Sequence, residues 1–193
     1  VKSMPALLGE ADLVKTLQQL PGVAVGTEGM TGLYVRGGGA DENLYLLDGN
    51  PVYHVNHLLG FFSAFNPDAI KNTRFYKGSF PAEYGGRLSS VVDVRMNDGN
   101  RQEYHGNISV GLLSARANLE GPIVKDRSSF NVSVRRTWLD LITGTALAVV
   151  NKNSSIKDVF GYHFFDINAK LNHSFSDRSR AYLSFYMGQD AFR

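Results

Sequence analysis

Apolar and polar residues alternate through most of the C-terminal half of this sequence. Because successive side chains of a β-strand point to opposite faces, this alternation predicts strands with one apolar and one polar face. Its phase flips between Leu112 and Leu113, which predicts a bulge or a tight hairpin, since a slip of one residue exchanges the two faces. The predicted strands lie at residues 108–112, 113–119, 130–138, 165–175 and 181–187.

Strands of this kind occur in two architectures. An antiparallel sandwich buries the apolar faces and leaves the polar faces in water. An outer-membrane β-barrel turns its apolar faces to lipid and its polar faces to the lumen. Only four or five such strands fit after residue 100, and an open sheet edge cannot face lipid, because unsatisfied backbone groups there cost several kcal/mol each. If the predicted strands lie in a membrane, this chain is therefore part of a longer barrel.

A short amphipathic helix is predicted near the N-terminus. Within residues 10–20, Leu13, Leu17 and Leu20 recur at helical spacing and share one face. Asp12 has the side chain of an N-cap, and a Pro-Gly pair follows Leu20 and ends the helix. The expected role of this helix is packing of the core.

The rest of the first 100 residues predicts short, mixed elements. Residues 66–71 predict a helix of one or two turns, because an Asn cap, a Pro at the first helical position and an acid in the first turn occur in order. Short strands are predicted at 23–25, 33–35, 44–47, 74–76 and 88–96, the last with one buried face. Helical periodicity nearly vanishes after residues 97–100, so we predict a small mixed α/β domain at 1–100 and a β-strand domain at 101–193.

Composition and motifs argue against several functions. The chain has no cysteine, which excludes disulfides and cysteine-based zinc sites, and its net charge of +2 comes from scattered Lys and Arg, so no nucleic-acid interface is predicted. Three glycines at 37–39 lack the spacing and the Lys-Ser/Thr pair of a phosphate-binding loop. Ser89, Ser90 and Asp93 lie near one another, but no nucleophile motif surrounds them, so no catalytic residue and no enzyme activity is predicted.

Residues 44–60 stand out because an apolar strand runs into a polar loop that is rich in ring side chains. His54 and His57 lie three residues apart in this loop and raise the question of a metal site with Asp41 and Glu42. Two imidazoles without a placed third ligand make a poor metal site. We therefore predict no metal and no other cofactor.

Several motifs in order resemble one family. The segments LLGEADLVKTLQQLPGV, LYVRGGGADENLYLLDGNPVY, FNPDAIKNTRFYKGSFPAEYGG and RLSSVVDVRMNDGN closely resemble the plug domain of TonB-dependent outer-membrane receptors. The resemblance covers residues 1–100 and is closest to the branch in which a carboxypeptidase-regulatory-like domain precedes the plug. Residues 104–193 resemble the first barrel strands of that branch. The implied fold class is α+β, a plug followed by antiparallel strands of an incomplete 22-stranded outer-membrane barrel.

The resemblance implies energised uptake of a scarce, bulky nutrient across the outer membrane of a Gram-negative bacterium. The nutrient would be a siderophore, corrinoid, oligosaccharide or peptide. The implied partners are the nutrient, membrane lipid and the TonB complex, which would act through a segment before the first motif that this sequence does not contain. An outer-membrane lipoprotein is left open as a further partner. The alternative is a binding or signalling module that senses a ligand without transporting it.

The resemblance also implies roles for individual residues. The family's apical loops, which contact ligand, correspond to residues 38–43 and 52–57. Their predicted ligand-binding residues are Asp41, Glu42, Asn43, Tyr53, His54, Asn56 and His57. The predicted contacts between plug and barrel are Arg36 and Arg87, with Glu83 as a further candidate.

Overall fold

The computed structural model of the chain describes residues 11–27, 30–141 and 161–192. Residues 141–161 follow the third predicted strand and would form an external loop if the strands belong to a barrel, but apart from its two ends this segment lies outside the described residues. Among the described residues, no helix is long and apolar enough to cross a membrane. The elements are α1 (Leu13–Gln18), β1 (Val23–Ala24), β2 (Tyr34–Val35), β3 (Asn43–Leu47), β4 (Asn50–Pro51), β5 (Asn56–His57), β6 (Phe62–Ser63), β7 (Ile70–Tyr76), β8 (Ser90–Met96), β9 (His105–Val110), β10 (Ser114–Val124), β11 (Ser128–Thr137), β12 (Tyr162–Ser176) and β13 (Ser179–Phe192).

Helix α1 begins where the sequence predicts, but it is shorter than predicted. Asp12 is its N-cap, and one carboxylate oxygen accepts hydrogen bonds from the backbone N–H groups of Val14 and Lys15. The other oxygen accepts from the backbone N–H of Ser63, which ties the helix to β6. Leu20 lies beyond the last turn and is 39% exposed, so its predicted place on the buried face is wrong.

The predicted helix at residues 66–71 is wrong. Only a single turn forms there, in which the Asn66 side chain accepts a hydrogen bond from the backbone N–H of Asp68 and the Asn66 carbonyl accepts from Ala69. The chain then enters β7 at Ile70. A local Asn bond stabilises a turn as well as a helix cap, and pairing of β7 with β8 decides between them.

The N-terminal region is organised around a four-stranded sheet with the order β4-β3-β8-β7. Strand β8 runs parallel to β3 and antiparallel to β7, and residues on both of its faces are buried rather than on the one face predicted. Asp48 and Gly49 connect β3 to β4 with φ values of 50° and 87°, the conformation of a tight hairpin turn that favours Asp-Gly. The apolar core of this region includes Leu13, Leu33, Phe65, Val92 and Val94.

The C-terminal strands form one five-stranded sheet with the order β13-β12-β11-β10-β9. Each strand pairs antiparallel with its neighbour in sequence. The predicted phase flip is confirmed as a tight hairpin, since Val110 of β9 pairs with Ala115 of β10. Short turns also join β10 to β11 and β12 to β13.

The two faces of this sheet are arranged opposite to those of a water-soluble sandwich. On β11, Asn131, Ser133 and Arg135 are buried, whereas Val132 and Val134 between them are exposed. The same holds on β12, where Asp166, Asn168, Lys170 and Asn172 are buried and Leu171 is exposed, and the large apolar residues of β13 are exposed too. The polar face packs against the N-terminal region. This excludes the sandwich alternative and fits an incomplete barrel whose lumen holds that region.

Candidate functional site

Near the end of β5, a buried cluster of charged side chains joins the N-terminal region to the five-stranded sheet. We call the polar face of this sheet the wall. His57 is only 2% exposed, and its ring lies between two carboxylates of neighbouring strands. Nε2 lies 2.7 Å from Asp166 on β12, and Nδ1 lies 2.9 Å from Asp190 on β13. The ring also stacks on Phe164, with centroids 4.3 Å apart and planes 5° from parallel. His57 is therefore held in one orientation by three strand residues.

Arg135 extends this cluster to a third strand, β11. Its Nε donates to Asp166 over 2.7 Å, and its Nη2 also donates to Asp166 and to the backbone carbonyl of Ser63 over 2.7 Å. The guanidinium lies 4.9 Å from the centre of the Phe164 ring. Because β6 contains Ser63, one arginine contacts both the wall and the N-terminal region.

A second charged cluster lies at the Asp48-Gly49 turn. Lys170 of β12 is buried and contacts Asp48 at 3.1 Å, Asp98 at 2.9 Å and the carbonyl oxygen of Met96 at 3.2 Å. Burial alone would raise the pKa of the Asp98 carboxyl, but hydrogen bonds from Lys71 and Lys170 lower it below its usual value. Lys170 thus binds the segment that links the N-terminal region to β9, through Asp98 and the Met96 carbonyl oxygen.

The two predicted ligand loops meet at one small cleft. Asp41 and Asn43 from the first loop and Tyr53 from the second line a cavity of about 170 Å³, and Arg87 lines it too. Tyr53 is 83% exposed. The structure thus brings together parts of both loops that the resemblance assigns to ligand contact. The cleft presents a carboxylate, an amide, a phenol and a guanidinium in one place.

Other predicted ligand residues support the loops from within. Glu42 bends back and accepts a hydrogen bond from the backbone N–H of Gly39 over 3.0 Å. Asn43 is mostly buried, donates to the carbonyl of Leu33 and accepts from the hydroxyl of Ser90. Asn56 pairs with Ser63 through β5 and β6. These contacts hold the loops in shape.

The exposed predicted residues are Asp41, Tyr53 and His54. His54 lies 3.6 Å from Asp190, the carboxylate that also contacts His57. His57 itself is closed off from solvent, as is most of Asn43. Direct contact with a ligand remains a prediction for all seven residues, and the geometry favours the exposed three.

Comparison with known proteins assigns the first part of the chain. A family model described as "TonB-dependent Receptor Plug Domain" matches residues 4–92. The chain carries a TonB-dependent receptor plug domain. A search of the curated proteins finds no match. The branch with a regulatory-like domain before the plug stays a prediction.

A solved structure resembles both the plug and the strands that follow it. The chain is similar to the crystal structure of the siderophore receptor PirA from Acinetobacter baumannii, with a TM-score of 0.64 and 20% sequence identity. The match covers 94% of this chain and 29% of the PirA chain. At this identity the likeness shows the fold, namely a plug against the first strands of a barrel. The chain spans less than a third of the length of that receptor.

The predicted contacts of the plug with the barrel, Arg36, Glu83 and Arg87, are all exposed. Arg87 donates a hydrogen bond to the backbone carbonyl of Gly86, and Glu83 lines a second cavity of about 400 Å³ with Tyr84 and other residues. None of the three forms an ion pair with the strands that the structure describes. Contact with other parts of a barrel stays a prediction for them.

The contacts that do fasten the plug to the described strands were missed in the sequence. Besides the two charged clusters, Arg116 lies 3.6 Å from Asp68, and the Asn66 amide donates to the Ser133 hydroxyl over 3.1 Å. One signal was present in the sequence. Arg135, Asp166 and Lys170 are charged residues on the polar faces of strands whose apolar and polar residues alternate regularly. Nothing in the sequence named their partners.

The described residues contain no group of three or more His, Cys, Asp or Glu side chains that could hold a metal ion. His54 and His57 point to different environments, since one is mostly exposed and the other is buried between Asp166 and Asp190. The pair of histidines in the plug is thus better explained by contacts with carboxylates.

Proposed function

We propose that this chain is the plug and the first part of the barrel of a TonB-dependent outer-membrane receptor that takes up a scarce, bulky nutrient. The nutrient would be a siderophore, corrinoid, oligosaccharide or peptide, and the location the outer membrane of a Gram-negative bacterium. One observation carries the proposal. The sheet turns its charged face to the plug and its apolar face outward, as a barrel wall in lipid does.

The outer face of the sheet supports a location in lipid. Ile108, Leu119, Val132 and Val134 form part of a continuous apolar surface across β9, β10 and β11. Contact of this apolar surface with lipid carries no free-energy cost, whereas its exposure to water is unfavourable. Arg135, Asp166 and Lys170, which lipid would reject, all lie on the other face.

The cleft between the two loops supports binding of part of a ligand rather than all of it. Its volume of about 170 Å³ is smaller than the few hundred Å³ of a typical small-molecule site. A bulky nutrient would insert one group there and lie across Tyr53 and His54. Aromatic side chains provide much contact area for little loss of conformational entropy. Because PirA is a siderophore receptor, an iron chelate is the first cargo to test.

The supporting resemblance also assigns the energy source and the partners. Uptake would depend on the TonB complex, and the protein would bind and move its ligand without changing it chemically. The lipoprotein partner is left to a pull-down with the complete receptor.

The test uses the complete receptor in cells that lack their own uptake system for the chelate. We expect uptake of radiolabelled iron chelate that stops when the proton gradient is dissipated. Tyr53→Ala should weaken binding about tenfold or more, as expected for loss of an aromatic anchor, whereas Lys15→Ala on helix α1 should not. Equal binding by both variants would remove the loop from the site. Binding without uptake would favour the sensing alternative.

A further inference from the structure

We propose that His57 is a positioning residue that fastens the loop at residues 52–57 to the barrel wall only while both of its ring nitrogens carry protons. The inference goes beyond the proposed function, because it assigns a charge-dependent anchor to a residue that the sequence predicts as a ligand contact. It relies on the proposed function only for the statement that the loop faces a ligand.

The hydrogen bonds of the ring determine its protonation. A neutral imidazole has one N–H and one acceptor nitrogen, whereas an imidazolium has two N–H groups. His57 lies 2.7 Å from a carboxylate oxygen of Asp166 on one side and 2.9 Å from one of Asp190 on the other. An ionised carboxylate can only accept. Both nitrogens must therefore donate.

Both carboxylates also contact other donor groups. Asp166 accepts from Arg135 on β11 and from the Tyr186 hydroxyl on β13, 3.3 Å away. Asp190 accepts from the Tyr162 hydroxyl over 2.5 Å, and its other oxygen faces His54. These are the titratable and charged groups around the ring, which is otherwise packed on Phe164.

The charges of the cluster balance only with a protonated ring. Arg135 and the imidazolium supply two positive charges, and Asp166 and Asp190 supply two negative ones. Loss of the His57 proton would leave a nitrogen lone pair of a ring that is only 2% exposed facing a carboxylate. Such an arrangement is repulsive, and an unpaired charge in the interior is costly. The ring would then leave its place between β12 and β13.

The anchor reaches the exposed loop through the chain and through Asp190. His54 and Tyr53 come directly before the anchored segment, and His54 shares Asp190 with His57. The wall itself is shaped to admit the ring. A Cβ atom at Gly188 would lie 3.2 Å from His57 Cε1, 3.0 Å from an Asp166 oxygen and 2.6 Å from the Tyr186 hydroxyl. Glycine thus leaves the space that the ring uses.

The first experiment needs neither ligand nor transport, so its failure is distinct from failure of the proposed function. The full chain is labelled with ¹⁵N-histidine in detergent micelles, and the His57 signals are assigned with His57→Gln. We expect both ring nitrogens of His57 to carry protons at pH 7. In Asp190→Asn, we expect the second proton to be lost at a lower pH than in the parent. A neutral ring with one N–H in the parent at pH 7 overturns the proposal.

The second experiment measures the loop itself. The chain has no cysteine, so Tyr53→Cys provides one site for a spin label. We expect the label to become more mobile as the pH rises and the ring loses its proton, and to become mobile at a lower pH in Asp190→Asn than in the parent. A label at Glu83→Cys, on an exposed turn away from the cluster, is the control and should not respond. If both labelled variants fold and the mobility of the label at Tyr53→Cys does not depend on pH, the proposed anchor is overturned.

Discussion

The plug is stabilised in two opposite ways on its two sides. Inside, α1 and the central strands bury Leu13, Leu33 and Val92 with no charged partner among them. Toward the barrel wall, the contacts are His57, Arg135 and other charged groups that meet carboxylates. Apolar packing tolerates small shifts, whereas ion pairs require one register and can be released by a change in charge. The apolar core can therefore keep the domain folded if its attachment to the wall changes, as we propose for His57.

The largest loss of stability should come from replacing Arg135, which connects the plug to the barrel wall. Arg135→Ala leaves Asp166 with one fewer buried positive partner, and loss of one member of a buried pair costs about 3–5 kcal/mol. Arg136→Ala is a matched control, because Arg136 is the next residue, faces outward and contacts Asp140 at 2.9 Å in an exposed pair worth at most about 1 kcal/mol. Urea unfolding of the full chain in micelles measures both, and equal losses would contradict the buried cluster.

The core side should respond to loss of volume alone. Leu33 is fully buried, so Leu33→Ala should lower the free energy of unfolding by about 2–5 kcal/mol through lost burial and the cavity that remains. Leu20→Ala removes the same atoms from a site 39% exposed and should cost well under half as much. Because no charge is removed, the effect at Leu33 should not depend on salt. A strong dependence of the Leu33→Ala loss on salt would contradict the assignment of this side to apolar packing.

Gly188 tests the fit of plug to wall without changing a charge. Gly188→Ala places a methyl group against His57 and Tyr186, and overpacking of this kind costs about 1–3 kcal/mol. Gly85→Ala is the control, since a Cβ there would have nothing within 4 Å. Thermal unfolding should separate the two variants. Identical midpoints would mean that the ring is not seated in the described position.

The smallest effect is a dependence of stability on pH at Asp98. Its pKa is lowered in the folded chain, mainly because hydrogen bonds from Lys71 and Lys170 outweigh burial. A carboxyl with a lowered folded pKa stabilises the fold above its unfolded value, near 4, and this contribution disappears as the pH falls through the folded value. Asp98→Asn should therefore flatten the decline in stability below about pH 4. An unchanged acid limb in urea titrations would exclude this contribution.

Periodicity and local chemistry were sufficient for much of the fold. The Asp12 cap, the Asp48-Gly49 turn and the hairpin after Val110 follow from bonds and φ values within a few residues. The same local rules failed at residues 66–71, where an Asn bond that would start a helix closes a turn instead. They also failed at β8, where both faces are buried rather than the one predicted.

For the candidate site, the resemblance indicated two loops as ligand contacts but did not separate their exposed members from their buried ones. Residues 38–43 and 52–57 do share one cleft. Within them, the burial of His57 depends on Asp166 and Asp190, which lie 109 and 133 positions away. No local pattern carries that information, so a histidine of a polar loop was predicted as a surface contact.

The sequence by itself determined that strands with one apolar and one polar face follow a small mixed domain, because a period of two residues admits no other regular structure. It did not determine which face lies inside, since alternation looks the same from either side. Only the tertiary structure decided this, by placing the plug against Arg135, Asp166 and Lys170. A buried charge requires a specific partner at a specific distance, and that partner is supplied by the fold.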